Sequence, residues 1–244
     1  MGCGPLIPGS QLTRCDPLRI GAIVQARMGS ERFFGKVLHR VAGKPLLQYL
    51  LERLKHSCCR EAIVVATSLE ASDDPIVAFC QGQGVFCHRG SLLNVASRFR
   101  EVLDIYRFEG FVRVNGDSPL LDQQLIERGV EIFLNGDYEI VTNVWPRTYP
   151  AGQSVEVLAA ETFKQGLARM RDPEDLEHVT KFFYKKSEDF RIFNFNAVEN
   201  LSSVHLATDT RKDMEIFAAI IAGMTKPHWQ YGLKEILEIY ARVI

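Results

Sequence analysis

The chain has 244 residues, of which 46% are hydrophobic and 24% are charged, and its formal net charge is −1. This composition is typical of a globular domain, and the near-zero net charge argues against a general nucleic-acid-binding role because it supplies no broad basic field. No apolar run in the sequence approaches the length that crosses a bilayer, so no membrane segment is expected.

The first 18 residues carry no helix or strand pattern, and we expect a disordered tail at 1–18 followed by a single domain at 19–244. The tail lacks the charged region and long apolar core of a secretory signal, and Leu6 stands where a myristoylation pattern has Ser or Thr. The six cysteines show no C-x-x-C pair and no metal-ligand spacing. This usage favours reduced thiols and a cytoplasmic location.

From Arg19 the pattern alternates between strands and helices. Strand signals lie at 20–25, 62–68, 85–90, 110–117 and 138–143, and helix signals at 45–57, 73–84, 91–106 and 121–135. This alternation predicts an α/β fold, with a mostly parallel sheet and helices on both faces. Ligands of such sheets bind at the carboxyl ends of the strands.

The regular alternation of strand and helix signals ends at about Trp145. The pattern then predicts strands at 154–160, 191–198 and 204–210, helices at 161–170 and 174–186, and a final helix that begins near Arg211. Because no Pro/Gly/Ser-rich linker separates this part, we interpret about 145–205 as a small α+β excursion on the same domain.

A cationic, glycine-containing loop follows the first strand, in the run IVQARMGSERFFGKVL. It lacks the Rossmann fingerprint G-x-G-x-x-G. It also departs from a P-loop, since five residues instead of four separate its glycines and Val37 replaces the Mg²⁺-binding hydroxyl. Its cations (Arg27, Arg32 and Lys36) and flexible backbone suit a polyanion, although a solvated basic loop has the same composition.

Two carboxylates follow apolar strand signals further along the chain. Asp117 follows the fourth strand, and Asp122 or Ser118 is better placed than Asp117 to cap the next helix, which leaves Asp117 free for a hard cation. Asp209 follows another apolar run and is a second candidate ligand, although Thr208, Asp209 or Thr210 could each cap the helix after it.

Taken in order, three patterns resemble the CTP-dependent sugar nucleotidyltransferases, which include the KDO and sialic acid cytidylyltransferases. They are Q-A-R-M-G-S-x-R-x-x-G-K-V-L, V-x-x-N-G-D-x-P-L-x-D and T-D-T-x-x-D. The resemblance covers 20–221 and is closest to the spore-coat polysaccharide biosynthesis branch, which also shares the runs VVATS, HRGSLLNVASRF, TYPAGQSVEV and LEHVT.

The resemblance implies a Rossmann-like nucleotide-diphospho-sugar transferase fold. It implies an Mg²⁺-dependent cytidylyltransferase that transfers CMP from CTP to an acidic sugar, either a nonulosonate or a KDO-like sugar, and releases pyrophosphate for cell-surface polysaccharide biosynthesis. It also implies a cytoplasmic homodimer, with no nucleic acid or membrane as partner.

The resemblance assigns site residues by their place in the shared motifs. The implied catalytic residues are Arg27, Lys36, Asp117 and Asp209, of which Asp117 and Asp209 are the metal ligands. The implied nucleotide-binding residues are Ala26, Arg27, Gly29, Ser30, Arg32, Lys36, Ala66, Thr67 and Asn115. The implied acceptor-binding residues are Arg147, Tyr149, Glu156 and His178.

Some positions depart from the family pattern. Phe33 and Phe34 stand where the family usually has Leu-Pro, Ala151 where it has an acidic residue, and Leu176 where it often has Arg. Two alternatives stay open: a glycosyltransferase that uses a preformed nucleotide sugar, although no D-x-D motif follows a strand, and a catalytically inactive nucleotide-binding relative.

Overall fold

The computed structural model describes residues 19–30 and 32–244, and the predicted tail at 1–18, with Leu6, lies outside them. The strands are β1 Ile20–Gln25, β2 Arg40–Val41, β3 Lys44–Pro45, β4 Ile63–Ser68, β5 Phe86–Gly90, β6 Gly110–Asn115, β7 Ile140–Thr142, β8 Glu156–Ala159 and β9 Ile192–Asn194. The helices are α1 Leu46–Leu54, α2 Asp74–Gln83, α3 Val95–Tyr106, α4 Gln123–Asn135, α5 Ala160–Arg169, α6 Pro173–His178, α7 Lys181–Lys185, α8 Arg211–Ala222 and α9 Leu233–Val243.

The main sheet has seven strands in the order β5-β4-β1-β6-β8-β7-β9, and β2 and β3 pair separately. The neighbours from β5 to β6 are parallel, whereas β8 runs antiparallel to both β6 and β7. The chain moves outward from β1 to β4 and β5 and then returns to β6. The strand order therefore reverses between β1 and β6, and the carboxyl ends of these strands border the crevice at which such sheets bind ligands.

The predicted mostly parallel α/β sheet is confirmed, and its strands are buried on both faces because helices cover both. In β1, Ala22 and Val24 pack with α1, α2 and α4, whereas Ile23 points to the opposite face, where α3, α5 and α7 pack. This double burial explains why the strand signals are nearly continuous apolar runs.

The C-terminal helices α8 and α9 form a third apolar cluster beside α1. Arg53, which is fully buried on α1, donates hydrogen bonds to the backbone carbonyls of Leu121, His228 and Tyr231 over 2.5–2.8 Å. The C-terminal segment is thereby tied to the connection between β6 and α4. None of the helices in the described ranges is long and apolar enough to span a membrane.

Two details of the predicted elements were wrong. The helix predicted at 174–186 is divided into α6 and α7, because Val179 has a positive φ of 53°. The strand predicted at 204–210 is an irregular segment with a single bridge between Ala151 and His205. In the main sheet, β8 lies between β6 and β7 and is antiparallel to both.

The segment at 204–210 follows an irregular path because its backbone bonds to two loops and not to a strand. The N–H of Leu206 donates to the carbonyl of Ala151 over 2.8 Å, and the N–H of Thr208 donates to the carbonyl of Asp117 over 2.8 Å. Gly152, with φ of 89°, permits the approach, since a Cβ there would lie 2.5 Å from the nitrogen of Ala207.

Candidate active site

Three of the predicted residues meet above the carboxyl ends of β1 and β6. Lys36 Nζ lies 2.8 Å from Asp117 Oδ2 and 2.9 Å from Asp209 Oδ1. The Lys36 side chain is only 10% exposed, whereas Asp117 and Asp209 are 27% and 22% exposed. The cluster therefore joins one cation to two carboxylates, carries net negative charge and opens toward solvent on its carboxylate side.

The contacts within the cluster favour the charged forms of Lys36 and Asp209. Burial acts against the charge of Lys36, but the charges and hydrogen bonds of Asp117 and Asp209 outweigh it and raise the pKa of the ammonium. Burial likewise acts against the charge of Asp209, but the hydrogen bond and charge of Lys36, helped by Arg32, lower the pKa of this carboxyl.

The cationic loop is closed by its own backbone. Gly35 has φ of 72°, a left-handed conformation that favours glycine, and its N–H donates to the carbonyl of Met28 over 2.9 Å. Lys36 begins a short 3₁₀ turn directly after this closure. The turn directs the ammonium inward to the carboxylates.

The two phenylalanines of the loop have different roles. Phe33 is buried in the C-terminal apolar cluster, with its ring 5.2 Å from the ring of His39 and 5.1 Å from the guanidinium carbon of Arg211. Phe34 is 64% exposed. The departure from Leu-Pro thus replaces a rigid turn with an apolar anchor, since Phe33 fixes the loop to α8.

The connection after β6 is shaped to place Asp117 at the crevice. The N–H of Gly116 donates to the carbonyl of Gln25 over 2.8 Å, and a Cβ at Gly116 would lie only 3.0 Å from that oxygen. Asp122 caps α4 by accepting from the N–H of Gln124 over 3.0 Å, as its position predicts. Asp117 has no capping task.

The structure shows which residue caps the helix after Asp209. Thr210 is the N-cap of α8: its Oγ1 accepts from the N–H of Asp213 over 3.2 Å, and Asp213 Oδ2 accepts from the N–H of Thr210 over 2.7 Å. Asp209 precedes this capping box, so its carboxylate is directed to Lys36.

Two arginines of the loop lie at the rim of the crevice. Arg27 Nη2 lies 3.3 Å from Glu177 Oε1 on α6, and Arg32 Nη2 lies 3.5 Å from Asp209 Oδ1. Both guanidinium groups are substantially exposed. These weak surface pairs leave both cations able to move to a phosphate.

The predicted base-binding residues lie at the end of β4, next to the loop. Ala66 and Thr67 are both fully buried. The adjacent Asp73 accepts hydrogen bonds from the N–H of Met28 over 2.7 Å and from the N–H of Ser68 over 3.1 Å, so it ties the loop to β4. Asp73 is the first residue of the helix predicted at 73–84, and the sequence pattern did not indicate this contact.

The predicted acceptor-binding residues do not form one surface. Tyr149 is buried and accepts from Arg128 Nη1 over 3.2 Å, whereas His178 is exposed at the end of α6. Arg147 Nη2 donates to Ser154 Oγ over 3.0 Å. Glu156 is 3% exposed and lies behind the crevice. Of these residues, only Arg147 and His178 offer side chains that are not enclosed.

Two residues that sequence reasoning missed enclose Glu156. Arg113 Nη1 lies 2.6 Å from Glu156 Oε2, and the hydroxyl of Tyr184 donates to Glu156 Oε1 over 2.6 Å. Burial opposes the charge of Glu156, but Arg113 and these hydrogen bonds outweigh it and lower the pKa of the carboxyl. A charged residue inside the apolar strand GFVRVN was the signal that could have predicted such a partner.

A mostly parallel sheet with a cationic loop and two carboxylates at its switch point is an arrangement that suits nucleotide binding. The sequence model of the family described as Cytidylyltransferase matches residues 21–217 of the chain. The chain belongs to this cytidylyltransferase family, and it is a nucleotidyltransferase.

Three known proteins illustrate the similarity. The chain is 33% identical over 202 residues to the uncharacterized protein MJ1063 of Methanocaldococcus jannaschii, covering 82% of each. It is 31% identical over 208 residues to the spore coat polysaccharide biosynthesis protein SpsF of Bacillus subtilis, covering 81% of this chain and 84% of SpsF. A solved cytidylyltransferase of Leptospira borgpetersenii superposes with a TM-score of 0.88 at 27% identity, over 92% of this chain and 94% of that one.

Proposed function

We propose that the chain transfers CMP from CTP to a hydroxyl of an acidic sugar, a nonulosonate or a KDO-like acid, and releases pyrophosphate. The observation that carries this proposal is the cluster of Lys36, Asp117 and Asp209 at the switch point, beside a loop with two further cations. Membership in the cytidylyltransferase family supports CTP as the nucleotide. The name of SpsF supports a role in polysaccharide biosynthesis.

The loop after β1 would bind the triphosphate. Arg27, Arg32 and Lys36 supply positive charge, while the backbone N–H groups of Gly29 and Ser30 would approach the phosphate oxygens. Ala66, Thr67 and Asn115 would border the nucleoside, since they lie at the carboxyl ends of β4 and β6. These roles follow from position in the fold and from the family motifs.

The residues fit Mg²⁺. Within residues 19–30 and 32–244 no group of three or more His, Cys, Asp or Glu side chains could hold a metal ion, so the site offers two carboxylates and not a protein cage. Mg²⁺ bound to nucleotides commonly uses one or two carboxylates and completes its coordination with phosphate oxygens and water. The ammonium of Lys36 shows that both carboxylates of the site, from Asp117 and Asp209, can face one cation.

The reaction requires the protein to position the two substrates and to neutralise the charge that develops. The acceptor hydroxyl would lose its proton to solvent as its oxygen forms a bond to the α-phosphorus, while the bond from that phosphorus to the bridging oxygen breaks and its electron pair leaves with pyrophosphate. Lys36 and Arg27 would balance the charge on the leaving group. Bound by Asp117 and Asp209, Mg²⁺ would neutralise phosphate charge and lower the pKa of the acceptor hydroxyl.

The homodimer, the cytoplasmic location and the single domain at 19–244 belong to the same proposal, because they rest on the resemblance and on sequence pattern. Sedimentation equilibrium tests the dimer. A protein that remains monomeric at all concentrations would contradict that part without affecting the chemistry.

Thermal-shift measurements with CTP, UTP, GTP and UDP-sugars, each with and without Mg²⁺, test the nucleotide specificity. Binding to the native state raises Tm in proportion to the logarithm of ligand saturation. We expect CTP with Mg²⁺ to give the largest shift. A larger shift with a UDP-sugar would favour the glycosyltransferase alternative, and no shift with any nucleotide would contradict nucleotide binding.

A further inference from the structure

Trp145 presents an aromatic face that the nucleotide chemistry does not use. Its side chain is 42% exposed, although it is the largest side chain of its loop. One face of the indole stacks on the ring of Tyr184, with 5.8 Å between centroids and 15° between planes. The rest of the ring is not fully covered, and an aromatic face of this size buries a large apolar area when a ligand packs on it.

The loop around Trp145 is held in place by hydrogen bonds. The N–H of Trp145 donates to Asn194 Oδ1 over 2.9 Å, and Asn194 Nδ2 donates to the carbonyl of Pro146 over 3.1 Å. A bridge between Val144 and Arg147 closes the turn. The ring is therefore presented in a fixed place, which reduces the conformational entropy that a ligand would have to overcome.

The supporting ring of Tyr184 is fixed as well. Its hydroxyl contacts Glu156 Oε1 over 2.6 Å and Thr142 Oγ1 over 3.1 Å. Glu156 pairs with Arg113, whose Nη2 donates to Gln25 Oε1 over 3.3 Å at the end of β1. A continuous buried polar chain thus connects the aromatic pair to the strand that precedes the cationic loop.

The strand order places the loop of Trp145 and the charged cluster at the same edge of the sheet. Arg113 of β6 pairs in register with Glu156 of β8, and Glu156 pairs with Thr142 of β7. Two strand spacings separate β6 from β7, a distance of about 10 Å. Trp145 follows β7 and Asp117 follows β6 at the same edge of the sheet.

We propose that Trp145 is the stacking platform for the acceptor sugar, an inference that rests on the proposed function. The apolar C–H face of a pyranose ring would lie on the face of the indole opposite Tyr184. Arg147, two residues further along, would face the polar edge of the sugar, because its guanidinium is half-buried beside the platform and contacts Ser154 Oγ and the carbonyl of Pro150. Trp145 is thus a specificity-determining residue of the acceptor site.

Steady-state kinetics in a pyrophosphate-release assay test the platform, with 3-deoxy-manno-octulosonate and N-acetylneuraminate as the acidic sugars. Trp145→Ala should raise the KM for the accepted sugar about 5- to 10-fold and change the KM for CTP less than about 2-fold. Trp145→Phe should retain most of the affinity for the sugar. Ile105→Ala, which removes another exposed apolar side chain at the far end of α3, is the matched control and should change neither constant.

Intrinsic fluorescence gives a readout of binding without turnover. The chain has two tryptophans, so Trp229→Phe leaves Trp145 as the only tryptophan, whose emission is excited selectively at wavelengths that tyrosine does not absorb. In that variant we expect a saturable change in emission when the accepted sugar is added with Mg²⁺ and a non-hydrolysable CTP analogue. Trp229 stacks on His56 in a different part of the molecule, so its replacement should not affect the acceptor.

The outcomes separate this inference from the proposed function. Wild-type turnover combined with an unchanged acceptor KM in Trp145→Ala overturns the platform and leaves the proposed function standing. A change in sedimentation without a change in acceptor KM assigns Trp145 to a subunit contact and also overturns the platform. Absence of CTP-dependent turnover in the wild type with both acids contradicts the proposed function and the platform together.

Discussion

Two clusters of opposite charges lie at the carboxyl edge of the sheet, and they differ in charge balance and in access. The open cluster of Lys36, Asp117 and Asp209 has an excess of carboxylates that face solvent. The sealed pair of Arg113 and Glu156 is balanced and enclosed, and both oxygens of Glu156 have partners.

The comparison shows how ion pairs of similar length can have different roles. An enclosed pair whose acceptors are satisfied gains little from a further ligand, and its removal mainly affects stability. An open cluster with excess negative charge can accept a metal cation and bring phosphate oxygens to it. The comparison is consistent with the proposal that Asp117 and Asp209 take part in the chemistry, whereas Arg113 and Glu156 support the fold.

The first prediction concerns the open cluster. Asp117→Asn should lower the rate of Mg²⁺-dependent pyrophosphate release from CTP about 1,000-fold, because a preorganised charge at the reacting phosphate is lost. Its Tm should stay close to that of the wild type, since Asp117 is partly exposed. Asp104→Asn is the matched control, because Asp104 is a carboxylate on the surface of α3 that also pairs with cations, Arg100 and Lys164. This variant should keep the activity of the wild type. Retained turnover in Asp117→Asn would contradict the metal role.

The second prediction concerns the sealed pair. Glu156→Gln should lower the free energy of unfolding by about 3 kcal/mol, because it leaves the buried charge of Arg113 without its partner. Urea denaturation measures this change. The double variant Arg113→Met/Glu156→Leu should recover much of the loss, since it removes both buried charges. If Glu156→Gln is as stable as the wild type, the pair of Arg113 and Glu156 does not stabilise the fold.

The third prediction separates the two phenylalanines of the loop. Phe33→Ala should lower the free energy of unfolding by about 2 kcal/mol, because it empties a buried position against α8, and should weaken the thermal shift by CTP. Phe34→Ser is the matched control at the exposed neighbour and should change stability by less than about 0.5 kcal/mol. Equal effects of the two substitutions would show that Phe33 does not anchor the loop.

The fourth prediction concerns pH. The pKa of Glu156 lies below its ordinary value in the folded protein, so its contribution to stability is present above the ordinary carboxyl pKa and is lost as pH falls through the lowered one. The stability difference between wild type and Glu156→Gln should therefore be largest near neutral pH and shrink in acid. Urea midpoints at several pH values measure it, and a pH-independent difference would contradict the assignment.

The sequence predicted the parallel half of the sheet well because its strands are short apolar runs bounded by polar residues and glycines. Strand-end reasoning also selected Asp117 and Asp209, which the structure brings to the same ammonium. Their proximity follows from a general property of α/β sheets, namely that residues distant in sequence meet at the carboxyl edge.

The remaining features depend on tertiary contacts that no local pattern encodes. The break at Val179 accompanies a contact between Thr180 Oγ1 and Arg113 Nη1 at 3.3 Å, which no helical periodicity predicts. The partner of Arg113 comes from a strand far along the chain. The buried position of Phe33 depends on α8, so the loop sequence alone could not distinguish it from its exposed neighbour.

The measurement that tests the central claim most directly is the product balance of the wild-type reaction with CTP, Mg²⁺ and an acidic sugar, followed by mass spectrometry and pyrophosphate detection. The account predicts that a CMP-sugar and pyrophosphate form in equal amounts, and that neither forms without the divalent cation. Formation of CDP and phosphate, or consumption of a UDP-sugar in place of CTP, would contradict it.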